Sequence, residues 1–98
     1  MTQHIGIVTV NESNEIVNDT GLNCNGIIEK ALSDPKSYPW LSSIDGYGTT
    51  WINKLQSIHV IAELEQLDLP DADRKIANSV IETLQKLESL QYARFDGD

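Results

Sequence analysis

Residues 40–56, WLSSIDGYGTTWINKLQ, mark the point in the chain where an extended pattern gives way to a helical one. The segment DGYG, residues 45–48, is typical of a turn, and the TTWI that follows has the β-branched and aromatic content of a strand. Asn53 then stands where a helix cap is expected. We therefore interpret the stretch as a corner that turns a strand into a helix, with Asp45 and Tyr47 exposed on its turn.

Two helical patterns follow this corner. Apolar residues fall on one helical face from Asn53 until Leu69-Pro70 ends the helix; they are Leu55, Ile58, Ile61, Ala62, Leu64 and Leu67. Residues 71–93 carry a second apolar stripe, formed by Ile76, Val80, Ile81, Leu84, Leu87 and Leu90. Asp71 is predicted to cap this second helix, with Asp73 also near its positive end. The very short connection predicts that the two helices pack antiparallel.

The rest of the chain predicts mainly extended structure. HIGIVTV, residues 4–10, has the pattern of a strand, and residues 15–17 are candidates for a short second strand. WLSSI, residues 40–44, is a candidate entry into another strand. QYARF, residues 91–95, predicts a strand near the end of the chain.

A short helix is also predicted over residues 24–34. We expect it to be capped near Asn23 or Asn25 and to stop before Pro35, which disfavours helical geometry at the preceding residue. The whole pattern predicts a single domain over residues 1–98. We expect the α+β class, with a small sheet that carries the antiparallel helical pair on one face.

The acidic balance is the strongest global property of the sequence. Fifteen Asp and Glu residues stand against seven Lys and Arg, which gives a formal net charge of −8. A charge of that sign repels phosphate backbones and anionic membranes, so direct nucleic-acid or membrane binding is disfavoured, whereas encounter with a basic partner is accelerated. One cysteine, no long apolar run and no signal-peptide pattern predict a cytoplasmic location. Alternatively, the acidity only maintains solubility.

The sequence predicts no catalytic site, no metal site and no cofactor. His4 and His59 have no obvious local partner, and Cys24 has no neighbouring base or nucleophile signature. Zinc spacings are absent, and residues 11–19, NESNEIVND, do not match a calcium loop and are interpreted as a hairpin turn. DGYG lacks the lysine and the length of a phosphate-binding loop. We therefore expect no enzyme; that alternative requires His59 or Cys24 beside an acid in a cleft.

Acidic residues concentrate where the two long helices join. The five residues are Glu63, Glu65, Asp68, Asp71 and Asp73. Asp71 and Asp73 are explained by their position at the start of a helix. Glu63, Glu65 and Asp68 lie toward a helix C terminus, where negative charge is mildly unfavourable. A carboxylate at this unfavourable end of the helix dipole can instead bind another protein. We predict that this set, with Asp45 and the potential interface anchor Tyr47, forms a partner-binding surface; the alternative is an ordinary solvated face.

About half of the chain resembles a group of small bacterial proteins. Their shared pattern is D-x-Y-G-x-T, then N-[KR]-L-Q, then L-E-x-L within a helix, and a terminal F-x-G-D. Here the pattern falls on residues 45–56, on residues 63–67, and on Phe95, Gly97 and Asp98. The resemblance implies a shared fold and no particular activity.

In size, acidity and cysteine content, the chain also resembles in type the immunity proteins of bacterial toxin systems, including contact-dependent growth inhibition. Such proteins bind and neutralise the toxin domain made by the same cell. This resemblance implies an antitoxin that occludes the active site of a basic toxin, a nuclease such as a ribonuclease, as a monomer in a 1:1 complex. The alternative is a small regulatory or scaffold module that forms a homodimer through the Ile76–Leu90 stripe.

Overall fold

The computed structural model describes residues 3–97, which form one four-stranded sheet and four helices. The strands are β1 (Ile5–Val10), β2 (Ile16–Asp19), β3 (Thr49–Asn53) and β4 (Tyr92–Gly97). The helices are α1 (Asn25–Leu32), α2 (Pro39–Ser42), α3 (Lys54–Gln66) and α4 (Asp71–Gln85). This arrangement confirms the predicted α+β class. Asp98, the last residue of the resemblance pattern, lies outside the described residues.

The sheet is antiparallel and has the strand order β2-β1-β4-β3. β4 comes last in the chain but lies between β1 and β3, so it joins the two halves of the sequence. β1 and β4 pair from Ile5↔Gly97 to Val10↔Tyr92. β2 lies at one edge, where its register against β1 shifts as at a β-bulge.

One face of the sheet is buried because side chains alternate along each strand. On β4, Ala93 and Phe95 are buried, whereas Arg94 and Asp96 point to the opposite face and are half-buried. The buried face shares one hydrophobic core with the helices. The helical contribution to this core includes Ile27, Ile28, Val60, Leu64, Val80 and Leu84. The pair formed by α3 and α4 therefore covers one face of the sheet, as predicted.

The corner between β3 and α3 has the predicted geometry. Asn53 occupies the cap position of α3, and its side-chain oxygen accepts a hydrogen bond from the backbone N–H of Gln56 at 2.8 Å. In return, the backbone N–H of Asn53 donates to the side-chain oxygen of Gln56 at 2.9 Å. These two bonds form a capping box, so the strand ends and the helix begins at adjacent residues.

The short helix α2 replaces the strand considered for residues 40–44. Pro39 is the first residue of this helix, and proline favours that position because its fixed φ is already helical. At the end of the turn, the hydroxyl of Ser42 donates to the carbonyl oxygen of Tyr38 at 2.6 Å. The β-like composition of WLSSI is thus overridden by a single helical turn.

The apolar face of α3 differs from the predicted one. Leu55 and Ile58 were expected in the core, but their side chains are 77% and 63% exposed. The buried positions are instead Ser57, Val60, Glu63 and Leu64. Apolar residues surround more than half of this helix, so their spacing does not fix which side faces the sheet.

α1 and α4 follow the sequence pattern, but their ends differ from the predicted ones. In α4, Val80 and Leu84 of the predicted stripe are buried, but the helix stops at Gln85 and Leu90 is exposed with a positive φ of 67°. The cap position of α4 is Pro70, so Asp71 is the first helical residue and not the cap, a correction to the prediction. α1 begins at Asn25 and ends at Leu32, before the proline that was expected to stop it.

Replacing Asn53 with alanine is expected to destabilise the protein. Asn53→Ala removes the acceptor for the Gln56 amide, and we expect the free energy of unfolding to fall by about 0.5–2 kcal/mol. Urea denaturation measures this change as a lower midpoint at an unchanged slope. Asn18→Ala, on exposed edge strand β2, is the matched control. Equal midpoints for the two variants would contradict the role given to the cap.

Candidate functional site

Glu63 has an internal partner that the sequence did not indicate. Its side chain is only 7% exposed, and its carboxylate accepts hydrogen bonds from the backbone N–H groups of Trp40 at 3.1 Å and Leu41 at 2.9 Å. These amides belong to the first turn of α2, where backbone donors lack partners within the helix. Glu63 therefore caps α2, which explains a carboxylate near the C terminus of α3. The inference that Glu63 serves an outside partner is corrected.

Three other predicted acids are exposed around the connection between α3 and α4. They are Glu65, Asp68 and Asp71, and we call them the acidic turn. Asp73 is half-buried and packs against α1: a Cβ at Gly26 would lie 3.0 Å from its carboxylate oxygen. The structure thus places these three acids at one connection and directs the fourth toward a neighbouring helix.

Arg74 supplies hydrogen-bond donors to the carbonyl groups at the end of α3. Its guanidinium donates to the carbonyl oxygen of Leu64 at 2.9 Å and also to that of Leu67. These carbonyls lie at the negative end of the helix dipole, so the arginine stabilises this end of α3. Sequence reasoning missed this contact because it joins residues in two different helices.

The acidic turn has no ion pair within residues 3–97. The ion pair in that part of the chain joins Arg94 and Asp96 at 2.9 Å on the sheet. Arg74 lies nearby in sequence but donates to backbone carbonyls. Within the described residues, no ion pair neutralises the exposed carboxylates of the acidic turn, and Asp71 alone of the three lies in the first turn of α4.

The turn at residues 45–48 is held by Asp45. The Asp45 carboxylate accepts a hydrogen bond from the backbone N–H of Tyr47 at 2.9 Å, and the Asp45 N–H donates to the hydroxyl of Thr50 at 2.9 Å. A Cβ at Gly48 would lie 2.5 Å from the same carboxylate, so a larger residue there would require the Asp45 side chain to shift. Asp45 thus has a structural role, while Tyr47 projects with 82% of its side chain exposed.

A chain of contacts places this corner and the acidic turn at the same end of the molecule. Gln3, just before β1, donates to the carbonyl oxygen of Gly46 in the corner. At the start of α1, the Cys24 N–H donates to the carbonyl oxygen of Ile5 at 2.8 Å. α1 in turn touches Asp73 in the first turn of α4. Tyr47 and the acidic turn therefore share an end, although no hydrogen bond between them occurs in the described part of the chain.

The candidate chemical groups lie in three separate settings. Cys24 is buried in the core, and burial raises the pKa of its thiol to about 12, so it is protonated at neutral pH. The exposed His59 stacks on Trp40 with ring centroids 5.0 Å apart and planes 4° apart. His4 is exposed just before β1. The Cys24 thiol is therefore part of the core, and His59 makes an aromatic contact on the helical layer.

Two surface grooves were not anticipated from the sequence. A polar groove runs between β2 and α4, and it is lined by Thr9, Asn18, Thr20, Glu82, Thr83 and Lys86, among others. Two of its hydroxyls are already occupied, since Thr20 and Thr83 donate to backbone carbonyls. An apolar groove lies between the start of α3 and the end of α4, and its apolar lining is Leu55, Ile58, Ile61 and Leu84.

Comparison with known proteins adds no assignment. No family model matches the chain, and no curated protein or solved structure matches it. Over residues 3–97, no helix is long and apolar enough to cross a membrane, and no group of three or more His, Cys, Asp or Glu side chains could hold a metal ion. The resemblance drawn from the sequence stays a prediction.

Removing the Glu63 carboxylate is expected to destabilise the helical layer. Glu63→Ala leaves the buried Leu41 amide without its acceptor, so we expect the free energy of unfolding to fall by about 1–3 kcal/mol. Glu65→Ala, two residues away and exposed, should change it by less than about 0.5 kcal/mol. Urea denaturation followed by tryptophan fluorescence measures both. Similar losses for the two variants would contradict the capping role.

The buried thiol is expected to resist alkylation. Because the pKa of Cys24 is raised to about 12, almost no reactive thiolate forms at neutral or mildly alkaline pH. Iodoacetamide followed by mass spectrometry should show no modification of the native protein and full modification in urea. Rapid alkylation of the native protein at neutral pH would show that the thiol is accessible and ionised.

Proposed function

We propose that the protein acts by binding, as an immunity protein that neutralises a basic toxin domain made by the same cell. The observation that carries the proposal is the acidic turn, whose exposed carboxylates lack an ion pair within residues 3–97. A neighbouring basic residue, Arg74, is occupied by the carbonyls of α3. These negative charges are therefore available to lysine and arginine side chains of another protein.

The proposed mechanism is occlusion of a cationic active site. A nuclease binds phosphates through lysine and arginine, and carboxylates can pair with the same side chains. The carboxylates of the acidic turn stand on a connection fixed at both sides, by Arg74 to α3 and by the first turn of α4, so little ordering is needed on binding. Tyr47, exposed at the same end of the molecule, is the candidate aromatic anchor.

The net charge supports a protein partner over a nucleic acid. At −8, the chain attracts a basic domain over a distance and repels phosphate backbones and anionic membranes. Long-range attraction raises the association rate, which is useful when a toxin must be stopped before it acts. A ribonuclease toxin acts in the cytoplasm, and a cytoplasmic location of the immunity protein follows from the proposal.

The homodimer alternative has less support. It relies on the apolar stripe of α4, but Val80, Leu84 and Leu87 of that stripe are buried in the core of the single chain. Ile76 and Ile81 also pack against this core. Because this stripe is already covered within one chain, the stripe itself offers little apolar area to a second copy, which favours a 1:1 complex with the toxin domain.

Reversing the charge of the acidic turn is expected to slow binding. The test compares the variant Glu65→Lys/Asp68→Lys/Asp71→Lys with Glu12→Lys/Glu82→Lys/Glu88→Lys, which changes the net charge equally at other exposed sites. The probe is the cationic C-terminal domain encoded by the adjacent gene, and stopped-flow fluorescence measures association. We expect the first variant to associate at least about tenfold more slowly at low salt and the second to be affected less.

The outcomes separate a specific surface from net charge alone. Equal slowing by both variants would remove the acidic turn from the interface. Unchanged binding by both would remove electrostatic attraction from the mechanism. Adjacent genes that encode no cationic protein, or a cationic domain that remains toxic when co-expressed with this protein, would contradict the proposed function. Circular dichroism of each variant verifies that the fold is retained.

A further inference from the structure

The outward side of α3 carries a row of exposed residues that no neighbouring element covers. The row is Leu55, Ile58, Ala62 and Glu65. Their spacings of three, four and three residues place them on one face, and ten residues of helix extend about 15 Å. The core lies on another side of the helix, around Val60 and Leu64. The row therefore forms a surface that is apolar at its start and acidic at its end.

The apolar part of this row borders a depression and does not stand on a flat surface. Leu55 and Ile58 line the apolar groove, whose far side is formed by Gln85 of α4 and Ser89, with the buried Leu84 beneath. Ile61, half-buried against the core, also lines the groove. Single exposed apolar residues are common on protein surfaces, but several of them around one groove are typical of an interaction site.

The two ends of this surface carry opposite charges. Lys54 lines the groove at the first residue of α3, whereas the row ends at Glu65 and continues into the acidic turn. A segment lying along α3 would therefore meet a positive charge at one end and several negative charges at the other. The complementary segment has apolar side chains that enter the groove and basic side chains beyond them.

The elements that line the groove favour a helix as the bound segment. The walls are the start of α3 and the end of α4, and no strand of the sheet lines the groove. An extended segment would find no strand edge to pair with, whereas a helix satisfies its own backbone and can place residues at spacings of three and four into a groove.

We propose that the apolar groove receives an amphipathic helix of the cationic partner, with apolar side chains against Leu55, Ile58 and Ile61 and basic side chains over the acidic turn. This inference rests on the proposed function, since it takes the partner to be cationic. It adds the secondary structure, the orientation and the apolar anchoring of the bound segment. The acidic turn attracts and orients the partner, and the groove holds it.

A synthetic helix tests this surface without the natural partner. The probe is an amidated peptide of about 18 residues, with leucines along one face and lysines clustered at one end. Its control is a scrambled peptide of the same composition. Titration into the ¹⁵N-labelled protein should shift amide signals along α3 and at the end of α4, with weaker binding of the scrambled peptide. Shifts centred on the polar groove or the open face of the sheet would overturn the proposal.

A pair of variants tests the apolar anchors. Leu55→Ser/Ile58→Ser should weaken binding of the leucine–lysine peptide by about tenfold or more, because each removes a side chain that lines the groove. Ile16→Ser/Leu32→Ser makes the same chemical changes at exposed sites on β2 and α1 and should leave the affinity unchanged. Equal effects would overturn the proposal. Concentration-dependent shifts in the groove without peptide would also overturn it, since they would indicate a second copy of the chain.

The same variants distinguish this inference from the proposed function. With the cationic domain of the adjacent gene, weakening by both the groove variant and the acidic-turn variant supports both proposals. Weakening by the acidic-turn variant alone removes the groove from the interface and leaves the proposed function standing. Binding that neither variant changes contradicts both.

Discussion

The Glu63 carboxylate joins α3 to α2 through the backbone amides of Trp40 and Leu41, and the arrangement of the helical layer depends on this contact. The bonds supply acceptors to a helix of only four residues. They also hold the side of α3 that faces inward, where Glu63 is buried with Ser57, Val60 and Leu64. With Glu63 directed toward α2, Val60 and Leu64 face the core, and Leu55 and Ile58 lie on the surface.

Several local features were predictable because the signal lies within a few adjacent residues. The turn at Asp45, the glycine after Tyr47 and the cap at Asn53 each depend on contacts across at most five positions. The α+β class was predictable as well, since the apolar periodicity changes clearly between segments. Such features follow from short-range geometry and do not need the tertiary structure.

The side of α3 that faces the core was not predictable in the same way. The sequence of α3 offers several apolar faces, and the spacing of Leu55, Ile58 and Ala62 is as regular as that of Val60, Leu64 and Leu67. The choice between them depends on Glu63, a charged residue that a hydrophobic pattern places outside. Its partners lie 22 and 23 positions earlier in the chain, beyond the reach of local patterns.

Internal contacts of two charged residues explain why the acidic turn faces outward. Glu63 is occupied by the amides of α2, and Arg74 by the last carbonyls of α3. Each side chain compensates the opposite pole of a helix dipole, so neither neutralises an oppositely charged side chain nearby. A guanidinium engaged with backbone carbonyls is poorly placed to screen Glu65, Asp68 and Asp71. Arg74 therefore stabilises a helix end, the neighbouring exposed Lys75 forms no ion pair within residues 3–97, and the negative charge of the acidic turn is directed to whatever approaches that end of the molecule.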